Sequence, residues 1–316
     1  MTLLNSRKFR TLLALVLVIC LLGGYAFYMH PLWVNAEKDA LKMRLLGARS
    51  YEREIAGHHI HFYEAGAGKP LVLVHGLSGH AEEWANLLPY FTHAGFHVYM
   101  LDLPGFGHSD RPANYSYSIA DQSAVVEAFL LDRGLTHTSL GGWSMGGWIA
   151  ATVALDHPQQ VDRLILLDSA GLKFTLPFNP RLFVPKSAAE MDALDKVLMP
   201  NPPQIPTFLM RDIERYEDRN GWITNRAMDS MLTGKDVLDD RYNQLHMPVL
   251  LVWGSLDRTT PLSLGITMHS RIQNSQLVVI DGCGHLAPIQ CASKIGPQAA
   301  HFLTDVHPPS GVTNIR

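Results

Sequence analysis

Apolar residues recur along this chain at two different periods. From about residue 52, short continuous apolar blocks alternate with longer stretches of helical spacing. The blocks LVLV (71–74), LILL (164–167), VLLVW (249–253) and LVVI (277–280) contain no polar position, as strands covered on both faces require. Further strands are predicted at 60–63, 98–101 and 138–140. Helical spacing fills 118–133, where Ser118 and Asp121 read as a capping box. This alternation predicts an α/β fold, a mainly parallel sheet with helices on both faces.

The rhythm breaks between residues 173 and 243. Seven prolines punctuate it: Pro177, Pro180, Pro185, Pro200, Pro202, Pro203 and Pro206. Short helices are expected at 190–198, 207–219 and 225–232. The segment reads as a helical cap inserted into a core made of 52–172 and 244–307. Ligands of open α/β sheets bind at the carboxyl edge, so such a cap would cover the site.

The amino-terminal pattern is of another kind. Arg7, Lys8 and Arg10 precede the uncharged run TLLALVLVICLLGGYAFYM (11–29). Nineteen helical residues rise about 28 Å, close to the hydrocarbon thickness of a bilayer. The basic residues favour a cytoplasmic start, and Tyr25, Phe27, Tyr28 and Trp33 suit an outer aromatic belt. Residues 1–29 are therefore expected to form a single-pass signal anchor, with the body on the non-cytoplasmic face. Cleavage after Ala26, releasing a secreted or periplasmic form, is the alternative. Residues 30–51 read as an amphipathic linker, helical over 32–49, lying on the membrane surface or against the body.

Composition narrows the function classes. The chain has 316 residues and a formal net charge of −3, with no basic tract in the body, so no nucleic-acid partner is expected. Three cysteines do not make a disulfide scaffold, and Cys283 and Cys291, eight apart, are expected to stay unbridged. His58, His59 and His61 have no carboxylate or cysteine cluster beside them and read as a strand with polar faces, not a metal site. Neither metal nor organic cofactor is expected. Oligomeric state is not encoded in any pattern read here.

Candidate chemistry centres on GGWSMGGW (141–148), four glycines around one serine. A short strand precedes it and an apolar helix follows, so Ser144 lies on a sharp strand-to-helix turn. Gly142 and Gly146 carry no side chains to collide there. A serine hydroxyl needs a base within hydrogen-bond reach. His285 is the candidate, in a loop after the strand LVVI. Asp257, after the preceding strand, is the candidate orienting carboxylate; it is preferred to Asp168, which lacks the Gly-x-x-Asp turn context of Gly254 to Asp257. Oxyanion donors are expected from the backbone N–H of Met145 and of Leu77, in the loop HGLSG after LVLV. Ser78 in that loop reads as a solvated serine.

The motifs HG (75–76), DLPGFGHSDRP (102–112), GWSMGG (142–147), WGSLD (253–257) and GCGH (282–285), in this order, resemble the α/β-hydrolase superfamily over about residues 55–305. The resemblance implies the α/β-hydrolase fold with a helical cap, and a Ser144–His285–Asp257 triad acting through an acyl-enzyme. The apolar start and LILLDSAGL (164–172) are similar to membrane-anchored monoacylglycerol lipases and related bacterial lipases. That likeness implies a small-molecule or lipid ester as substrate. C–C bond hydrolases acting on meta-cleavage products share the same motifs and are the alternative. A non-catalytic receptor retaining the fold is the alternative from another class. Gln290 stands where many relatives carry a glutamate, and a serine at 144 excludes the aspartate-nucleophile branches.

Overall fold

The structure, a computed structural model, describes residues 7–316. Nine strands form one sheet among the described residues: β1 (Arg49–Ile55), β2 (His58–Gly66), β3 (Lys69–Val74), β4 (Phe96–Leu101), β5 (Thr138–Trp143), β6 (Val161–Leu167), β7 (Val249–Gly254), β8 (Ser275–Ile280) and β9 (Gly311–Ile315). The order is β1-β2-β4-β3-β5-β6-β7-β8-β9; β1, β2 and β4 pair antiparallel and every other neighbour pairs parallel. All of β5, β7 and β8 is buried, which is why their sequences are mostly apolar or small, Gln276 at the start of β8 being the large polar exception. The helices are α1 (Arg7–Met29), α2 (Pro31–Leu45), α3 (Leu88–His93), α4 (Ile119–Asp132), α5 (Met145–Asp156), α6 (Ala188–Leu198), α7 (Thr207–Leu232), α8 (Leu262–Arg271), α9 (Ala287–Gln290) and α10 (Ala292–Thr304). Ser118 caps α4 by accepting the Asp121 N–H at 3.1 Å. One apolar cluster lies on each face of the sheet: Trp148, Ile149 and Phe129 pack on one, Trp84, Phe91 and Phe302 on the other.

Two strands lie outside the pattern read from the sequence. β1 is exposed at six of its seven positions, so no apolar alternation marks it. It starts at Arg49, inside the stretch read as linker. β9 adds to the far edge beyond the 244–307 stretch, pairing with β8 in parallel.

The cap also departs from expectation. The two helices expected at 207–219 and 225–232 are one continuous helix, α7, of 26 residues. Gly221 does not break it. A Cβ there would lie 2.4 Å from Val184 Cγ1, so the glycine admits close packing of the cap on itself.

At the amino end, α1 is apolar and exposed, long enough to cross a membrane. Pro31 ends it, because the residue before a proline is pushed out of helical backbone. The linker helix α2 lies against the body: Met43 is fully buried, and α2 packs on α7. The junction is fastened to the cap. Asp212 Oδ2 accepts the Leu32 N–H at 2.9 Å, Phe208 sits 5.4 Å from the Phe27 ring, and the Arg211 guanidinium lies over Tyr28.

Cys283 and Cys291 form a disulfide, contrary to the expectation of free thiols. The single turn of α9 folds the chain back after β8 and brings the two Cα atoms to 6.5 Å, within bridging range. Spacing in sequence carries no information about that turn.

Candidate active site

The turn from β5 into α5 presents Ser144. Its φ of 54° and ψ of −117° lie outside the favoured regions for a residue with a side chain. The glycines make that shape attainable. A Cβ on Gly142 would sit 2.1 Å from the Gly146 carbonyl oxygen, and one on Gly146 would sit 2.2 Å from that of Val74.

Three loops from the carboxyl edge bring the candidate residues together. His285 Nε2 lies 3.0 Å from Ser144 Oγ, and His285 Nδ1 lies 2.8 Å from Asp257 Oδ2. With Nδ1–H donating to the carboxylate, Nε2 is left as an acceptor facing the hydroxyl. Asp257 Oδ1 accepts the backbone N–H groups of Thr259 at 2.7 Å and Thr260 at 3.0 Å. The Thr260 hydroxyl lies 2.8 Å from Asp257 Oδ2 and 3.2 Å from His285 Nδ1. Asp168 ends β6 close by, but its Oδ1 accepts the Gly254 N–H at 2.7 Å; the imidazole pairs with Asp257. Burial pushes the Asp168 carboxyl well above the usual carboxylate range, and the charge of Asp257 pushes it further.

The loop after β3 supplies Leu77. Its N–H and that of Met145 bond to no acceptor among the described residues, and both residues flank Ser144 at the same cavity. His75, from the HG motif, is structural. Fully buried, it holds the Gly76 carbonyl at 2.7 Å through Nδ1, and its Nε2 accepts the Leu103 N–H at 3.1 Å. Burial lowers its pKa, consistent with a neutral ring having one donor and one acceptor nitrogen. Ser78 is exposed, as read, yet its hydroxyl also meets Thr224 of α7 at 2.8 Å, tying this loop to the cap. His61 is not on a solvated face: it is buried against Asp102 at 2.7 Å.

Two cavities of about 240 Å³ each meet at Ser144. The first runs under the cap and is lined by Leu77, Met145, Trp148, Leu172, Phe174, Leu176, Phe183, Met228, Met231, Leu232 and Val237, with Lys173 as its one charged side chain. The second passes His285 and is lined by Met191, Leu194, Leu198 and Ile213, with the carboxylates of Glu83 and Glu217. Burial raises Glu217 to about 7. Met228 and Met231 line the first cavity because α7 continues unbroken past Gly221, while the cap methionines Met199 and Met210 line neither. Phe208 packs on α1 and Trp222 on Tyr117 instead.

Sequence reading missed three groups that hold the array. The Thr260 hydroxyl lies 2.8 Å from Asp257 Oδ2 and 2.9 Å from the Asp168 carbonyl oxygen, with one proton to donate to either. Trp143 Nε1 donates to the His285 carbonyl at 3.0 Å, and the Leu198 carbonyl accepts the His285 N–H at 2.9 Å. Only Thr260 had a local signal, two threonines placed to turn back onto an aspartate.

A family profile described as alpha/beta hydrolase fold matches residues 69–229. The chain belongs to the α/β-hydrolase family. A second profile, described as TAP-like protein, matches 227–314. Among individual relatives of this α/β hydrolase, a 2-hydroxy-6-oxononadienedioate/2-hydroxy-6-oxononatrienedioate hydrolase of Paraburkholderia phymatum is 28% identical, covering 77% of this chain and 90% of its own. Lipase 1 of Psychrobacter immobilis is 27% identical, covering 71% of this chain and 73% of its own. A solved structure of a membrane phospholipase A, a bacterial virulence factor, superposes with a TM-score of 0.76 at 27% identity, over 92% of this chain and 97% of that one. The relatives include lipases and hydrolases of 2-hydroxy-6-oxo dienoic acids, among them a 2-hydroxy-6-oxo-6-phenylhexa-2,4-dienoate hydrolase of Burkholderia cepacia.

Proposed function

We propose that this chain is a membrane-anchored serine hydrolase that cleaves carboxylic esters of lipids, of the monoacylglycerol lipase or esterase type. The supporting observation is the apolar cavity that ends on Ser144, lined by twelve apolar side chains, Ala170 among them. An acyl chain fits such a lining, since each methylene buried contributes about 0.8 kcal/mol.

In this reading His285 takes the Ser144 proton as the hydroxyl attacks the ester carbonyl. The Leu77 and Met145 N–H groups receive the oxyanion. His285 then protonates the leaving alcohol and afterwards activates the water that frees the acyl-enzyme. Asp257 holds the imidazole tautomer and offsets its charge. The alcohol would leave through the second cavity, on the His285 side of Ser144.

C–C bond hydrolysis is the second reading, favoured by the dienedioate hydrolases among the relatives. The dienedioates carry two carboxylates; the phenylhexadienoate of another relative carries one and is not excluded by charge. Here the cavities offer Lys173 alone against Glu83 and Glu217, a poor electrostatic match to a dianion.

Location supports the lipid reading. The Cys283–Cys291 bridge suits an oxidising compartment, in keeping with a catalytic domain on the non-cytoplasmic face. The packing of Phe27 and Tyr28 on Phe208 gives the end of α1 a folded partner, favouring retention over cleavage.

The deciding measurement is kcat/KM for a form lacking residues 1–30 on esters from acetyl to palmitoyl, below their micelle-forming concentrations, beside dienone acids. The lipase reading expects a steep rise with acyl length up to the cavity's capacity. A profile flat or peaked at acetate, or faster turnover of dienone acids, overturns it. A fluorophosphonate probe should label the wild type and not Ser144→Ala; a folded wild type that resists labelling would point to a receptor.

A further inference from the structure

Asp168 is fully buried beside the carboxyl group of Asp257 and holds a φ of 43°, a backbone state that residues with side chains seldom adopt. Donor counting separates the two acids. Asp257 faces three N–H donors, those of Thr259, Thr260 and His285 Nδ1. Asp168 receives one donor, the Gly254 N–H on Oδ1, and no group donates to its buried Oδ2. Neighbouring buried carboxyls do not both ionise, because the second charge meets the first with little solvent between them. The acid surrounded by donors keeps the charge, and the acid with a single donor keeps the proton.

We propose that Asp168 is a positioning residue of this site, a neutral carboxylic acid whose Oδ2–H donates to the Asp257 carboxylate. The inference rests on the triad reading given above. A donated hydrogen bond draws charge from Asp257 and weakens its hold on the His285 proton. The left-handed backbone aims the carboxyl at the turn after β7, and the Asp168 carbonyl is in turn fixed by the Thr260 hydroxyl at 2.9 Å. The titratable groups bearing on Asp168 are Asp257 and, through it, His285; no basic side chain contributes.

Infrared difference spectra of the folded protein at neutral pH, wild type minus Asp168→Asn, test the proton directly. A neutral-acid carbonyl band that shifts in heavy water is expected. A difference containing carboxylate bands alone overturns the proposal. The pH profile of kcat/KM on a soluble short ester tests the role. In Asp168→Leu, which fills the space without a donor, the acid limb should move up by about one pH unit. In Asp168→Asn, whose amide N–H replaces the O–H, the limb should return toward the wild-type position. An unmoved limb in folded Asp168→Leu, or a loss in Asp168→Asn as deep as that of Asp257→Asn, overturns the role. If Asp168→Leu does not fold, the infrared band and the asparagine variant still decide. Failure of the esterase reading would appear instead as a wild type without turnover, and would leave the infrared result standing.

Discussion

The carbonyl oxygen of Leu198, at the end of the first long cap helix, accepts the backbone N–H of His285 at 2.9 Å. The cap therefore does more than roof the cavity; it holds the loop that carries the imidazole. Gly284 stands at the contact, where a Cβ would meet the Leu198 oxygen at 2.7 Å and Pro200 Cδ at 2.8 Å. Gly284→Ala should push cap and loop apart and lower kcat by about 10- to 100-fold, since small misplacements of a reacting group are costly. Thermal unfolding should shift far less. Steady-state kinetics with a melting curve check this, and unchanged kcat would show that the contact is incidental.

Asp257→Asn should keep the fold and lower kcat by about 10⁴-fold. Its amide oxygen would still accept the Thr259 and Thr260 N–H groups, but its NH₂ would face Nδ1 and force the ring proton onto Nε2, the nitrogen that must accept the Ser144 proton. Thr260→Val removes one hydroxyl and leaves the tautomer alone, so its loss should be smaller by at least about tenfold. Equal losses would contradict the assignment of the acid.

Removing the disulfide should matter to both stability and the site. Cys283 and Cys291 bracket His285, and the Cys283 carbonyl accepts the Leu256 N–H at 2.8 Å, next to Asp257. Closing so short a loop is worth about 2.5 kcal/mol in the chain-entropy model. The double variant Cys283→Ser/Cys291→Ser should melt earlier and turn over more slowly, and dithiothreitol should reproduce both effects in the wild type. Denaturant titration with parallel assays measures them.

Stability should fall as pH rises above neutrality, through His80. Burial alone would lower its pKa, but the Glu82 hydrogen bond at 2.8 Å and the charges of Glu83, Glu82 and Asp102 raise it to about 9. A raised histidine binds its proton more tightly when folded. Its contribution is complete below the ordinary value of about 6.5 and is lost as pH climbs through 9. Burial also raises Glu217 to about 7, but a carboxyl raised on folding costs stability between its ordinary value and its folded one, so Glu217 acts below neutrality and leaves the window of His80 distinct. The wild-type melting temperature should drop more steeply between these limits than that of His80→Gln. Parallel slopes would remove His80 as the cause.

Local patterns carried most of the framework. Apolar blocks such as LVLV and LVVI announced central strands because a strand covered on both faces has no solvent side to mark. The elbow glycines were legible because only residues without a Cβ survive the 2.1–2.2 Å approaches at Gly142 and Gly146. The order of Ser144, Asp257 and His285 lay on the surface of the sequence, each at the end of a recognisable strand. Edge strand β1 was silent, since six of its seven residues face solvent and obey no hydrophobic period. The break expected between 219 and 225 does not exist, and the close neighbour of Gly221 in that stretch, Val184, is 37 residues away in the chain. The disulfide, the Leu198–His285 bond, the clamp of Asp212 on Leu32 and the donor imbalance between Asp168 and Asp257 all join residues distant in sequence or arranged by a turn with no residue code. Composition and spacing register what a residue needs from its immediate neighbours; which distant group meets that need is decided only when the sheet closes and the cap is packed onto it.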